Sequence, residues 1–178
     1  LTFFKNVMCL EPSHYLIAGK DKGIKKNYWD VTEPLYRYKE DDLEYLQELL
    51  NNSINQHLIS DRKIGFFLSG GTDSSALTSI CKKNLNYLPN TYTYDFSKNE
   101  FSESKKAKTI ANKLKIKNYL SILNTKNVEN NFDNLVQILE SPFTSIRLFG
   151  VDKIYKKAKE DGLKVICEGH GGDEMMGG

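Results

Sequence analysis

The sequence predicts an α/β fold: a doubly wound parallel sheet covered by helices on both faces. Three observations carry this. From residue 41 onward, strand-like and helix-like segments alternate, and strands separated by helices are joined as parallel crossover units. The strand segments "KIGFFL" and "LKVICE" are short and largely apolar, as strands in a buried sheet must be. The 178 residues suffice for one domain of moderate size with a real core.

The elements follow in order. Residues 1–38 read as a separate β-rich piece with a linker. "HYLIAG", "GIKKNYWDV" and "PLYRY" place aromatics, Gly23 and Pro34 at turn spacing. Residues 39–178 then form the main domain. Leu43, Leu46, Leu50, Ile54 and Leu58 recur every three or four positions, which predicts a helix over 41–59, with Asp41, Asp42 and Glu44 favourably placed in its first turn. "KIGFFL" is a strand and "SSALTSICKKNL" a helix; "NTYTYDF" is a strand and "ESKKAKTIANKLK" a helix. "NYLSIL" is a strand, followed by a helix from Val128 to Leu139. "VDKIYKKAKED" is a helix ended by Gly162, and "LKVICE" is the last strand.

Composition narrows the function. The net charge of +2 gives no reason to expect nucleic acid. No apolar run reaches the roughly 18 residues of a membrane span, and no signal peptide is visible. Cys9, Cys81 and Cys167 are scattered and odd in number, which argues against a disulfide framework and for a reducing cytoplasm. Leu1 in place of Met, and a glycine motif still running at Gly178, read as a piece of a longer protein.

The chemistry sits in "IGFFLSGGTDSSAL", Ile64 to Leu77. An apolar strand enters a glycine loop and then a helix, and ligands of parallel sheets bind at such strand ends. Gly70 and Gly71 allow a sharp turn, Ser74 and Ser75 can cap the helix, and the N–H groups at the helix start favour an anion. Asp73 would repel a bare phosphate, so a divalent cation is expected between them. The loop lacks the Gly-Lys-Ser/Thr ending of the common phosphate loop. "VICEGHGGDEMMGG" repeats the plan, with Asp173 and Glu174 in a second glycine loop. Asp73 and Asp173 could then share a metal.

Ser-Gly-Gly-x-Asp-Ser resembles the signature of the pyrophosphate-loop ATPases, whose fold is of the adenine nucleotide alpha hydrolase type. Together with Gly169, Gly171, Asp173, Glu174, Gly177 and Gly178, it resembles the synthetase domain of the glutamine-dependent asparagine synthetase family. "FFKNVMCLEPSHYLIAG" with "YWD" is similar to the end of that family's glutaminase domain, and "TSIR" to a Thr-Thr-Ile-Arg segment. The resemblance implies ATP and Mg²⁺ as cofactors. It places Leu68, Tyr94, Glu168 and Gly169 where backbone groups contact adenosine, and makes Ser69, Gly70, Gly71, Asp73, Ser74 and Ser75 the pyrophosphate loop. Asp73 and Asp173 would be Mg²⁺ ligands. Arg147, beside Thr144 and Ser145, would offset phosphate charge.

The activity it implies is amidation of a carboxylate, aspartate above all, through an acyl-adenylate. Ammonia would come from glutamine cleaved by an upstream glutaminase domain, and a homodimer is the candidate assembly. A lysine facing pyrophosphate would lie past Gly178, so this piece alone is expected not to turn over. His170 stands where the family usually has Glu. A histidine buried in the cleft could act as a base but cannot supply a fixed negative charge. The alternatives are a ligase of the same fold on another carboxylate, of the β-lactam synthetase or lasso-peptide cyclase type, and a non-catalytic nucleotide-binding module. A tRNA-thiolating enzyme is disfavoured by the absence of a basic excess.

Overall fold

The computed structural model describes residues 2–20, 23–30, 42–96 and 102–176. Its contacts divide the chain into two units, Leu1–Asp42 and Leu43–Gly178. The expected strand around "PLYRY", the linker boundary near residue 38, and Gly177 and Gly178 of the second motif lie outside the described residues.

In the first unit, β1 (His14–Ile17) and β2 (Ile24–Asn27) pair as an antiparallel hairpin, with Tyr15 opposite Lys26. A Lys25–Glu11 ion pair of 2.7 Å ties the hairpin to the segment before it.

The second unit holds a four-stranded parallel sheet in the order β5-β4-β3-β6. Its strands are β3 (Ile64–Phe67), β4 (Asn90–Phe96), β5 (Lys117–Leu123) and β6 (Val165–Cys167). The helices are α1 (Asp42–His57), α2 (Thr72–Lys83), α3 (Glu103–Leu114), α4 (Thr125–Leu139), α5 (Arg147–Glu160) and the short α6 (Gly172–Met176). The chain winds outward from β3 through β4 to β5, then returns to add β6 on the other side of β3. The switch point therefore lies between β3 and β6, where a doubly wound sheet opens a crevice.

Alternation along the strands builds the two faces. On one face, Ile64 and Phe66 of β3 pack with Ile54 of α1 and Cys81 of α2, while Leu68 packs on Ala107, Ala111 and Leu114 of α3. On the other, Tyr92 packs with Ile154 and Ala158 of α5, and Leu123 with Leu135 of α4 and Phe149 of α5. Both faces are thus covered, as the alternating segments predict.

Two helices begin earlier than their apolar periodicity predicts. The α4 start at Thr125 is set by a reciprocal cap: Asn127 N–H donates to the Asn124 side chain at 2.9 Å, and Asn124 N–H to that of Asn127 at 3.1 Å. The α5 start at Arg147 brings "TSIR" into the helix entrance. The last acidic loop is partly helical, as α6.

Candidate active site at the switch point

Register brings the two glycine motifs side by side. Phe66 of β3 is paired with Cys167 of β6; two residues further on come Leu68 and Gly169. On the other flank Phe67 is paired with Tyr92, so Ser69 lies level with Tyr94.

Gly70 takes φ +89°, a conformation L side chains rarely adopt. A Cβ there would lie 2.8 Å from the Ala107 nitrogen and 3.1 Å from the Glu103 carbonyl oxygen. The loop thus rests directly on the first turns of α3, with no room for a side chain. Gly71 N–H donates to Ser69 Oγ at 3.1 Å, and Ser69 N–H to Ser74 Oγ at 3.2 Å, so the loop is folded on its own hydroxyls.

Here the structure corrects one expectation. Ser74 and Ser75 do not cap α2. Its N-cap is Gly71, which has no side chain to offer, and both serine hydroxyls donate back to the Gly71 carbonyl. The serines sit one turn too late to reach the leading N–H groups, so no side-chain oxygen caps this helix start. That leaves the dipole end available to an external anion.

The second motif meets the first through its glycines. A Cβ on Gly169 would lie 2.9 Å from the Ser74 nitrogen and 3.0 Å from Asp73 Cβ. One on Gly172 would collide with the Asp73 carboxylate itself. Asp173 follows directly at the start of α6 and is exposed, while Asp73 is half-buried. No group of three or more His, Cys, Asp or Glu that could hold a metal occurs among the described residues. Asp73 thus touches the second loop through Gly172, the residue directly before Asp173.

The remaining residues fall around this junction. Leu68 is fully buried; its N–H donates to the Tyr92 carbonyl at 2.9 Å, and its own carbonyl accepts the Thr93 hydroxyl at 2.6 Å. Arg147 is the first residue of α5, with Nε–H donating to the Tyr94 hydroxyl at 3.2 Å. The Tyr94 hydrogen bond and, to a smaller extent, the Glu103 charge hold its guanidinium more firmly protonated than usual. Glu168 accepts the Tyr155 hydroxyl at 3.0 Å; burial first, then this carboxylate, push the Tyr155 phenol up. Burial pushes the Asp95 carboxyl up, but the Ser102 and Ser104 hydroxyls outweigh it and hold the group below its ordinary range.

His170 is exposed, against the burial expected for it. His170 lies three residues past β6, and the chain turns directly after it at Gly171, φ +93°. Sequence reasoning missed the supporting phenols of Tyr94 and Tyr155. Nothing local signals them, since Tyr94 and Arg147 are 53 residues apart.

The sequence profile described as asparagine synthase matches residues 45–178. The chain belongs to the asparagine synthase family. It is 32% identical to asparagine synthetase [glutamine-hydrolyzing] 2 of Bacillus subtilis over 99% of the chain and 26% of that protein. It is 26% identical to an amidase of Penicillium rubens, over 99% of the chain and 29% of that protein. The chain thus spans between a quarter and a third of the length of these relatives. Among solved structures, an NH3-dependent NAD synthetase from Campylobacter jejuni matches with a TM-score of 0.51 at 15% identity, covering 75% of this chain and 59% of that one. A U34-tRNA thiolase from Methanococcus maripaludis matches with a TM-score of 0.52 at 15% identity, covering 74% and 46%. At that identity they share the fold, which is the doubly wound α/β architecture predicted. For an asparagine synthase family member, ATP use and a carbon–nitrogen ligase class are the coarse expectation. Among the described residues, no helix is long and apolar enough to cross a membrane.

Proposed function

We propose that this chain supplies the ATP-dependent half of an amide synthetase, most directly aspartate to asparagine. ATP would transfer AMP to the carboxylate, releasing pyrophosphate, and ammonia from glutamine would then displace AMP from the acyl carbon. The observation that carries this reading is the seating of Gly172 on the Asp73 carboxylate. It joins the serine–glycine loop of β3 to the acidic glycine loop of β6 at the switch point.

Each part then has a task. The uncapped start of α2 and the Ser69–Ser75 loop receive the departing pyrophosphate, whose growing charge needs donors already in place. Asp73 and Asp173 would hold Mg²⁺, which supplies positive charge against the phosphates. Arg147 faces the same charge from the start of α5. Leu68, Tyr94, Glu168 and Gly169 line the adenosine side through the strand ends. Activation is required because a carboxylate offers ammonia only hydroxide as a leaving group, whereas the adenylate offers AMP.

A second reading, a ligase of the same fold acting on another carboxylate, is favoured by His170. An exposed imidazole cannot repeat the role of a fixed carboxylate toward an amino-acid substrate. The test is ATP–pyrophosphate exchange by the whole enzyme with aspartate and with a panel of other carboxylates. Aspartate-dependent exchange that disappears in Asp73→Ala, with unfolding unchanged, supports the leading reading. Exchange driven only by another acid supports the second. Wild-type exchange in Asp73→Ala would refute the assignment of the loop.

A further inference from the structure

We propose that Tyr94 is a positioning residue for Arg147, with Gly150 providing the space that makes this possible. The inference rests on the reading of the serine–glycine loop as a pyrophosphate seat, and it adds a side-chain role at a position assigned so far only through its backbone.

Arg147 opens α5, where the helix dipole disfavours a cation. A cation kept there needs a fixed partner, and Tyr94 is that partner: its hydroxyl accepts Nε–H at 3.2 Å. The Tyr94 ring is itself clamped, edge-on to Phe67 at 5.5 Å and to Phe96 at 5.9 Å between centroids. On its remaining side lies Gly150, one turn into α5, where any Cβ would overlap the ring. The phenol is therefore anchored in the sheet, on a residue whose backbone continues the register level with Ser69.

Using Nε–H for this bond leaves the four N–H groups of the two terminal nitrogens for an anion. A guanidinium held through Nε keeps one orientation, and pre-organisation is what lets it bind without first paying for order. The neighbouring Glu103 charge favours the same cation, and the Glu103 carbonyl is where Gly70 rests.

The experiment titrates inorganic pyrophosphate with Mg²⁺ into the chain by calorimetry. It compares wild type, Tyr94→Phe, Arg147→Ala and the double variant. Tyr94→Phe keeps the ring and its packing and should leave the unfolding midpoint unchanged while weakening binding by about fivefold. The double variant should bind no more than about twofold worse than Arg147→Ala, because the phenol acts only through the arginine. In ¹⁵N spectra, Arg147 Nε–H should exchange with solvent faster in Tyr94→Phe. Wild-type affinity in Tyr94→Phe, or losses that multiply in the double variant, would overturn the positioning role alone. A wild-type chain that does not bind pyrophosphate would overturn the seat as well, and the proposal with it.

Discussion

Gly172 and Gly169 offer a paired test of whether the junction of the two motifs is functional or only structural. In Gly172→Ala the new methyl meets the Asp73 carboxylate. That group is the end of a short side chain and can swing away, at a cost of about 0.5–1.5 kcal/mol if it leaves its rotamer. Alanine in a helix recovers up to about 1 kcal/mol over glycine. The net change in stability should therefore stay within about 1 kcal/mol. On the proposed reading, the displaced carboxylate would no longer serve the metal and pyrophosphate. Losing one charge-assisted contact costs about 1.5–3 kcal/mol, so Mg²⁺-dependent pyrophosphate binding should weaken roughly 10- to 150-fold. Gly169→Ala is the converse. Its methyl would lie 2.9 Å from the Ser74 nitrogen and 3.1 Å from the Asp73 carbonyl carbon. These are backbone atoms of the first turn of α2 and cannot step aside, so overpacking should cost about 1–3 kcal/mol of stability. Urea unfolding and calorimetric binding, run on both variants, separate the two effects. Wild-type binding in Gly172→Ala would refute the argument, as would a loss of stability equal to that of Gly169→Ala.

Three further outcomes are expected. Ser102→Ala removes the hydroxyl that helps hold the Asp95 carboxyl below its unfolded value. A depressed carboxyl stabilises the fold above its unfolded pKa of about 3.9 and loses that contribution as pH falls through the folded value, so the urea midpoints of wild type and variant should differ at pH 7 and converge in strong acid. Cys81 is fully buried, and burial, with the nearby Cys167 adding to it, pushes its thiol up to about 12. Mass spectrometry after brief iodoacetamide treatment at neutral pH should find the exposed Cys9 alkylated and Cys81 unmodified. Ile154→Ala opens a hole beneath Tyr92 and should lower stability by about 2–5 kcal/mol in urea unfolding.

The sequence by itself determined the order of strands and helices and the place of both glycine loops. These depend on local chemistry: period-3.6 leucines in α1, apolar runs in β3 and β6, and glycines where a loop must turn or approach another backbone. It also contained a signal that periodicity alone passes over, the Asn124–Asn127 cap that starts α4 before its apolar stripe. Tertiary structure decided what neither period nor motif encodes. The return of the chain to the far side of β3 made β6 the partner of that strand and set Gly172 against Asp73. The same packing turned Ser74 and Ser75 back to the Gly71 carbonyl instead of capping α2, and left His170 exposed. It also brought the Tyr94 hydroxyl to Arg147 and that of Tyr155 to Glu168. Such contacts join residues far apart in sequence, and they exist only once strand register and helix docking have fixed where each side chain points. A phenol that orients an arginine looks, in the sequence, like any other aromatic residue of a buried strand.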